Sequence, residues 1–526
     1  MATLVRLPSE ALHEILRHLE PWDLPPVQRV CRYLYNYVKG NRALCRDIYL
    51  RTLDEPSCMD LDWEKEVKDL SFLMMAFGGP HREEIAMCLD ERVPRAFETV
   101  MALLERTKSP FPCFEGEPDL VERRNIEFLR QWLSREDYVF MQNSFRLKTE
   151  GGYWKSNLPG FHSCLEDHLQ RCAKVQSLSN MWIYNRRPLR NMYEQACSKV
   201  YDLREYTERT GWGPFRRDGS MRVDWVKVEA LLVDMGYNMR SKGLNQSAIF
   251  SAIWGNPFPG TWPNSYVPWK EKDGQHHASE VDRRDPYGVS GIWVRVVCFL
   301  DYADFFAHNF PMDDETPGNY PRPPLNCGEA TRVIVMKINA ASVEPPGPED
   351  GQELPVVHFR GASWSLHGGP GDNGTSDLKG TVRLTPEGEI RWTSFSVFNG
   401  EERWKSEGIQ LGGLKSARGV VGTWFEKDMD PHGPCGPTSY WKLKDTTDDE
   451  EDVSAFMEQL VASFTRSRAI PTWTDIHTMD FDDDEDDEDF EDDGEDDGNT
   501  DGEDDIEEDG VDDLTDESMS EAHANA

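Results

Sequence analysis

Residues able to do chemistry gather at two places in the chain. His162, Cys164, His168 and Cys172 form the first, and the last three follow one another at four-residue steps. On a helix that spacing puts them on one face. Neighbours in such a row can chelate one ion, but the outer two stand roughly 12 Å apart along the axis, at about 1.5 Å per residue. The pattern therefore reads as core cysteines with His168 at their edge, not as a metal centre. The second place is Asp428-Met-Asp-Pro-His-Gly-Pro-Cys-Gly-Pro, which crowds Asp428, Asp430, His432 and Cys435 into one loop. Carboxylates, an imidazole and a thiol at that density suit a metal or a nucleophile. The prolines and glycines among them argue instead for a stiff turn at the end of a sheet, where a partner can be read. The chain carries no phosphate loop, dinucleotide fingerprint, nucleophile elbow or zincin motif. No cofactor, metal or catalytic residue is expected, which leaves binding functions.

The elements that must position a binding surface begin at the N-terminus. Leu7, Ala11, Leu12, Ile15, Leu16 and Leu19 make one apolar face at a 3.6-residue period, with Pro8 in a first turn and Pro21 as the stop. Asp23 can cap a second helix carrying Leu24, Val27, Val30, Cys31, Leu34 and Val38. Asn41 can cap a third with Leu44, Ile48 and Tyr49. Three short helices cannot bury an adequate core alone, so the rest of the chain or a partner must cover them.

The stretch LPSEALHEILRHLEPWDLPPVQRVCRYLYNYVKGNRALCRDIYLR resembles an F-box, the module by which substrate receptors of SCF-type ubiquitin ligases dock on a Skp-family adaptor. Leu7-Pro8, Glu10, Ile15-Leu16, Leu19, the Pro21–Leu24 turn and Val30-Cys31-Arg32 carry the likeness. Leu34 stands where the family usually has tryptophan, and Cys45 where a second aromatic is common. The resemblance implies adaptor contacts from Leu7, Pro8, Ile15, Leu16, Leu19, Leu24, Val27, Val30 and Cys31. It further implies a cullin scaffold beyond the adaptor and a protein substrate of unstated identity.

The net charge of −39 belongs to the C-terminus. No Lys or Arg follows Arg468, and 28 acidic residues lie from Ile470 onward, which leaves the remainder at 57 − 68 = −11. Such a tail, almost without apolar residues, cannot offset the cost of ordering and is expected to be disordered. It has three readings: solubilising, binding basic proteins, or mimicking nucleic acid. Nucleic acid is not an expected partner of the chain. The 11 cysteines include no C-x-x-C pair, no secretory signal opens the chain, and no apolar run suffices to span a membrane. Cytoplasm or nucleus is the expected compartment, with no membrane partner.

The remaining chain divides by period. Helical spacing runs through 54–254, including a helix from Asp224 that ends at Gly236. A Pro/Gly/Trp-rich connection covers 255–285. From 286 to 445 the period becomes two, with Asn399-Gly400 as a hairpin turn. A closing amphipathic helix is expected at 452–466, before the tail at 470–526. The fold class expected is an α+β multidomain chain: a three-helix F-box at 1–53, a helical middle, and an antiparallel β meander closed as a barrel or folded as a sandwich. Gly291-Ile-Trp293 is similar to the first strand of lipocalin-like barrels, where the tryptophan plugs one end. The architecture as a whole is similar to uncharacterised F-box proteins of filamentous fungi. The function this implies is substrate recognition in a ubiquitin ligase. Two alternatives are a lipocalin-like small-ligand binder and a non-ligase F-box binder of basic proteins.

Overall fold

A computed structural model describes residues 4–75, 92–108, 111–112, 123–133, 161–180, 186–255, 257–267, 279–311, 322–366 and 375–445. The helix expected at 452–466 and the tail at 470–526 lie outside these residues.

The F-box stretch forms four short helices, α1 (Ser9–Leu16), α2 (Leu24–Val30), α3 (Arg32–Val38) and α4 (Arg42–Thr52). The sequence predicts one helix over Leu24–Val38; the chain instead turns extended at Cys31, with φ −159° and ψ 164°. No proline or glycine marks that point, so the break follows from packing. It lets Leu24 on one half and Leu34 and Val38 on the other reach the same core. Asn41 caps α4 as expected, its side chain accepting from the Leu44 N–H at 3.1 Å. Asp23 does not cap α2. Its carboxylate accepts from the Glu20 N–H instead and closes the Pro21–Asp23 turn.

The middle helices share a core with the F-box. Leu12, Leu44, Ile48 and Tyr49 pack in the same buried cluster as Trp63, Leu103, Trp132 and Val228. The helix Trp225–Ser241 is buried over nearly its whole length and is capped by Asp224, whose side chain accepts from Val226 and Lys227 N–H. It does not stop at Gly236, the position expected from sequence. Gly236 is buried in mid-helix, where packing outweighs a glycine cost of about 1 kcal/mol. The left-handed glycine comes later, at Gly243 with φ +68°.

Eight antiparallel strands close into a barrel, which decides between barrel and sandwich. They are β1 (Gly291–Leu300), β2 (Glu329–Glu344), β3 (Val356–Ser365), β4 (Thr375–Leu384), β5 (Ile390–Phe398), β6 (Glu401–Gln410), β7 (Val420–Glu426) and β8 (Cys435–Lys444). Each strand pairs with the next in sequence, and β8 closes on β1 through Thr438↔Val297 and Trp441↔Val294. Asn399 and Gly400 both take positive φ, the requirement of a two-residue hairpin turn joining strands of right-handed twist.

Alternation sorts each strand into an inner and an outer set. Ile292, Val294, Val296 and Cys298 of β1 face outward into the helical core. Trp293 faces inward with Met336, Phe359, Leu378, Trp392 and Tyr440. The Trp293 ring lies 5.1 Å from Trp392 and 6.0 Å from Tyr440, and its Nε1 donates to the Val289 carbonyl at 3.0 Å. The tryptophan thus fills one end of the barrel.

Candidate functional site

The F-box helices are held by polar ties at their ends, which leaves an apolar surface free. Arg51 on α4 donates to the carbonyls of Arg17 and Leu19 and to Glu20. The Tyr37 hydroxyl donates to the Ser9 carbonyl, and His13 meets Asp47 at 2.9 Å. Asp54 and Asn125 exchange hydrogen bonds that fix this unit to the helices behind it.

The residues assigned to adaptor contact fall in three groups. Pro8, Ile15 and Val30 are exposed, with Ile15 at 46% and Val30 at 47%. Leu7, Leu19, Val27 and Cys31 are half-buried. Leu16 and Leu24 are buried in the chain's own core, so their role is to hold the helices rather than to touch a partner. Tyr33 and Tyr35 are also exposed and were not marked by sequence, because they lie off the apolar stripe of their helix. Single exposed apolar residues are ordinary on protein surfaces; Ile15, Val30, Tyr33 and Tyr35 are four large ones within one short module. At the two departures from the family pattern, Leu34 and Cys45 are both buried, so each keeps the packing its position demands.

The loop of Asp428, Asp430, His432 and Cys435 does not assemble a catalytic group. Asp430 accepts from the His432 N–H at 2.9 Å, within the turn itself. Cys435 opens β8 and is buried, and burial pushes its thiol up to about 12, so it stays protonated near neutral pH. His432 stacks instead against an exposed aromatic helix, Tyr302–Asn309. Its ring is 4.8 Å from Phe310, which lies 4.8 Å from Phe306. Tyr302 completes the patch, its hydroxyl donating to the His432 carbonyl at 3.4 Å. His168 and Cys172 are buried on the helix Phe161–Ser179; the side chains of His162 and Cys164 lie outside the described residues.

A cluster that sequence did not mark lies under the outer face of the barrel. Glu329 at the start of β2 accepts from the Tyr193 hydroxyl at 2.9 Å, the Asn238 amide at 2.8 Å and the Tyr201 hydroxyl. Cys197 and Asp234 offer ligand atoms within 4.8 Å of it. All three could hold a cation by type, but the O–H and N–H dipoles aimed at Glu329 suit a buried carboxylate. Burial and the Glu329 charge push the Asp234 carboxyl well above the ordinary carboxylate range. Burial likewise raises the Cys197 thiol. No local motif betrays this group, since Glu329 lies 91 residues from Asn238 and 128 from Tyr201.

The Asp234 shift has a signed consequence. In the unfolded chain this carboxyl ionises near its ordinary value of 3.8, whereas the folded chain keeps it protonated well above that. The folded state then binds more protons, so its contribution to stability is lost as pH rises above the unfolded value. Asp234→Asn should flatten that dependence. Its melting temperature should gain on the wild type between about pH 5 and about pH 8, measured by thermal unfolding. Parallel curves for the two proteins would show that Asp234 ionises in the fold.

No curated protein and no solved structure matches the chain. Residues 4–51 match the family model described as F-box-like. The chain thus carries an F-box-like domain at residues 4–51, followed by helices and a closed eight-stranded antiparallel barrel.

Proposed function

We propose that the chain is the substrate-recognition subunit of an SCF-type ubiquitin ligase. Its F-box-like domain docks on a Skp-family adaptor, which links it to a cullin scaffold, and the β-barrel domain presents a protein substrate. The observation that carries this reading is the match of residues 4–51 to the F-box-like family model, with Pro8, Ile15, Val30, Tyr33 and Tyr35 exposed on that module. The subunit is non-catalytic in this reading. Its contribution to rate is proximity, since holding the acceptor beside a charged conjugating enzyme makes the transfer effectively intramolecular. The reading places it in the cytoplasm or nucleus. On the barrel side, Tyr302, Phe306, Phe310 and His432 offer an exposed aromatic surface flanked by Asp301, Asp304, Asp428 and Asp430. A basic or aromatic substrate segment fits that chemistry, and the acidic tail would attract the same class of partner.

The test is capture of a purified Skp-family adaptor by the full chain. Wild type should retain the adaptor, and Ile15→Asp/Val30→Asp should lose at least about tenfold in affinity, because both charges would be desolvated at the interface. Both positions are solvent-exposed, so the variant should melt with the wild type. Undiminished capture by the variant, or none by wild type, would remove the proposal.

A further inference from the structure

The inner face of the barrel is divided by chemistry. Its plugged end is filled with aromatic rings, Trp293, Trp392, Phe359 and Tyr440. Toward the other end the inward positions carry small hydroxyl side chains. Ser363 and Ser376 meet across β3 and β4 at 2.7 Å, and Ser394 and Ser406 across β5 and β6 at 2.6 Å. Beyond them, inward-facing Val297, Phe299, Ile334, Ser365, Trp404 and Trp424 are only half-buried, so this is the less buried half of the barrel.

Between the two halves sits Arg295 on β1, two residues past Trp293 and therefore on the inner face. It is 6% exposed. Its Nε donates to Thr438 Oγ1 at 2.8 Å, and its guanidinium lies 6.0 Å from the Tyr440 ring centroid. Among the described residues no carboxylate pairs with it, and its two terminal nitrogens have no hydrogen-bond partner. Two other buried charges on the barrel have ion-pair partners, Glu407 in Arg391 and Lys405, and Lys442 in Asp445. Burial brings the Arg295 guanidinium down to about 10, still charged at neutral pH. A buried, charged and unpaired guanidinium is costly, and here it sits beside Thr438 at the border of the less buried, hydroxyl-lined half of the barrel.

We propose that this half of the barrel binds a small monocarboxylate. Its carboxylate pairs with Arg295 and Thr438, and its apolar remainder runs along Val297 and Ile334 toward the Trp404–Trp424 pair at the mouth. A planar guanidinium with two free nitrogens matches a carboxylate in bidentate geometry. A single positive charge balances one negative charge, which favours a monocarboxylate over a phosphate dianion. An eight-stranded barrel has room for one small ligand where its inward side chains are small. The site stands on geometry separate from the F-box surface, so either proposal survives failure of the other.

The experiment titrates the full chain with octanoate, with octanol as the uncharged analogue, and with inorganic phosphate, following tryptophan fluorescence and heat. Octanoate should saturate one site per chain, and octanol should bind at least about tenfold more weakly, the size of a charge-assisted pair. Arg295→Met should bind octanoate and octanol alike, and it should melt no lower than wild type because a buried unpaired charge has gone. Arg295→Lys should restore part of the preference. Ser394→Leu/Ser406→Leu should block octanoate by filling the space with Arg295 intact. Equal binding of octanoate and octanol by wild type would overturn the proposal. So would saturation by phosphate in place of octanoate, or full octanoate affinity in Arg295→Met or in the double leucine variant.

Discussion

Replacing Glu329 with alanine should cost the fold about 1–3 kcal/mol, the range for a buried polar group that loses its hydrogen-bond partner. Glu329 is buried and takes hydrogen bonds from Tyr193, Tyr201 and Asn238. These donors come from the helix Arg186–Val200, the turn after it and the helix Trp225–Ser241, whereas Glu329 opens β2 of the barrel. Alanine would leave the Tyr201 hydroxyl buried without an acceptor, at about 1–3 kcal/mol before relaxation, whereas the Tyr193 hydroxyl keeps the Cys327 carbonyl and the Asn238 amide keeps the Asp234 carbonyl. Glu329→Gln keeps the shape but presents an amide N–H to groups that are themselves donors, so it should lie between wild type and alanine. Urea unfolding of the three proteins gives the comparison. A loss below about 1 kcal/mol in Glu329→Ala would mean that the donors find other acceptors and that the network is not a structural joint.

Trp441→Ala should destabilise the chain by about 3–5 kcal/mol, the usual cost of emptying a buried tryptophan site. Trp441 lies on β8 and is 1% exposed, with its ring 5.3 Å from Phe250 and 6.2 Å from Trp254. It points away from the barrel interior, into the helices that cover the wall. Its loss therefore acts on the joint between the two layers, unlike Trp392, which sits inside the barrel. Far-ultraviolet and near-ultraviolet circular dichroism followed through urea unfolding should no longer coincide in Trp441→Ala. Coincident transitions with an unchanged midpoint would show that the two layers do not depend on this ring.

Both predictions concern contacts that no local pattern announces. The F-box stretch was legible because its information is local: apolar spacing and Asn41 as a cap act within a turn or two, although the first helix already ends at Leu16 and Pro21 opens the next turn instead of stopping that helix. The strands were legible for the same reason, since an alternation of period two and an Asn399-Gly400 turn state both the strand and its neighbour. Where local signals failed, packing overruled them. Gly236 continues a helix because its surroundings are buried, and Cys31 breaks one because two apolar faces must meet a single core.

The sequence by itself determined that the chain opens with an F-box-like module, that a helical middle follows, and that an antiparallel β domain comes after it. Those are properties of neighbours along the chain, readable from period and turn chemistry. Only the tertiary structure decided that the β domain closes as a barrel, because closure depends on β8 meeting β1 across about 150 residues. It alone placed Glu329 among Tyr193, Tyr201 and Asn238, and left Arg295 charged and unpaired inside the wall. A side chain's partners in three dimensions have no fixed separation in sequence, and burial is what turns an ordinary arginine or glutamate into a site.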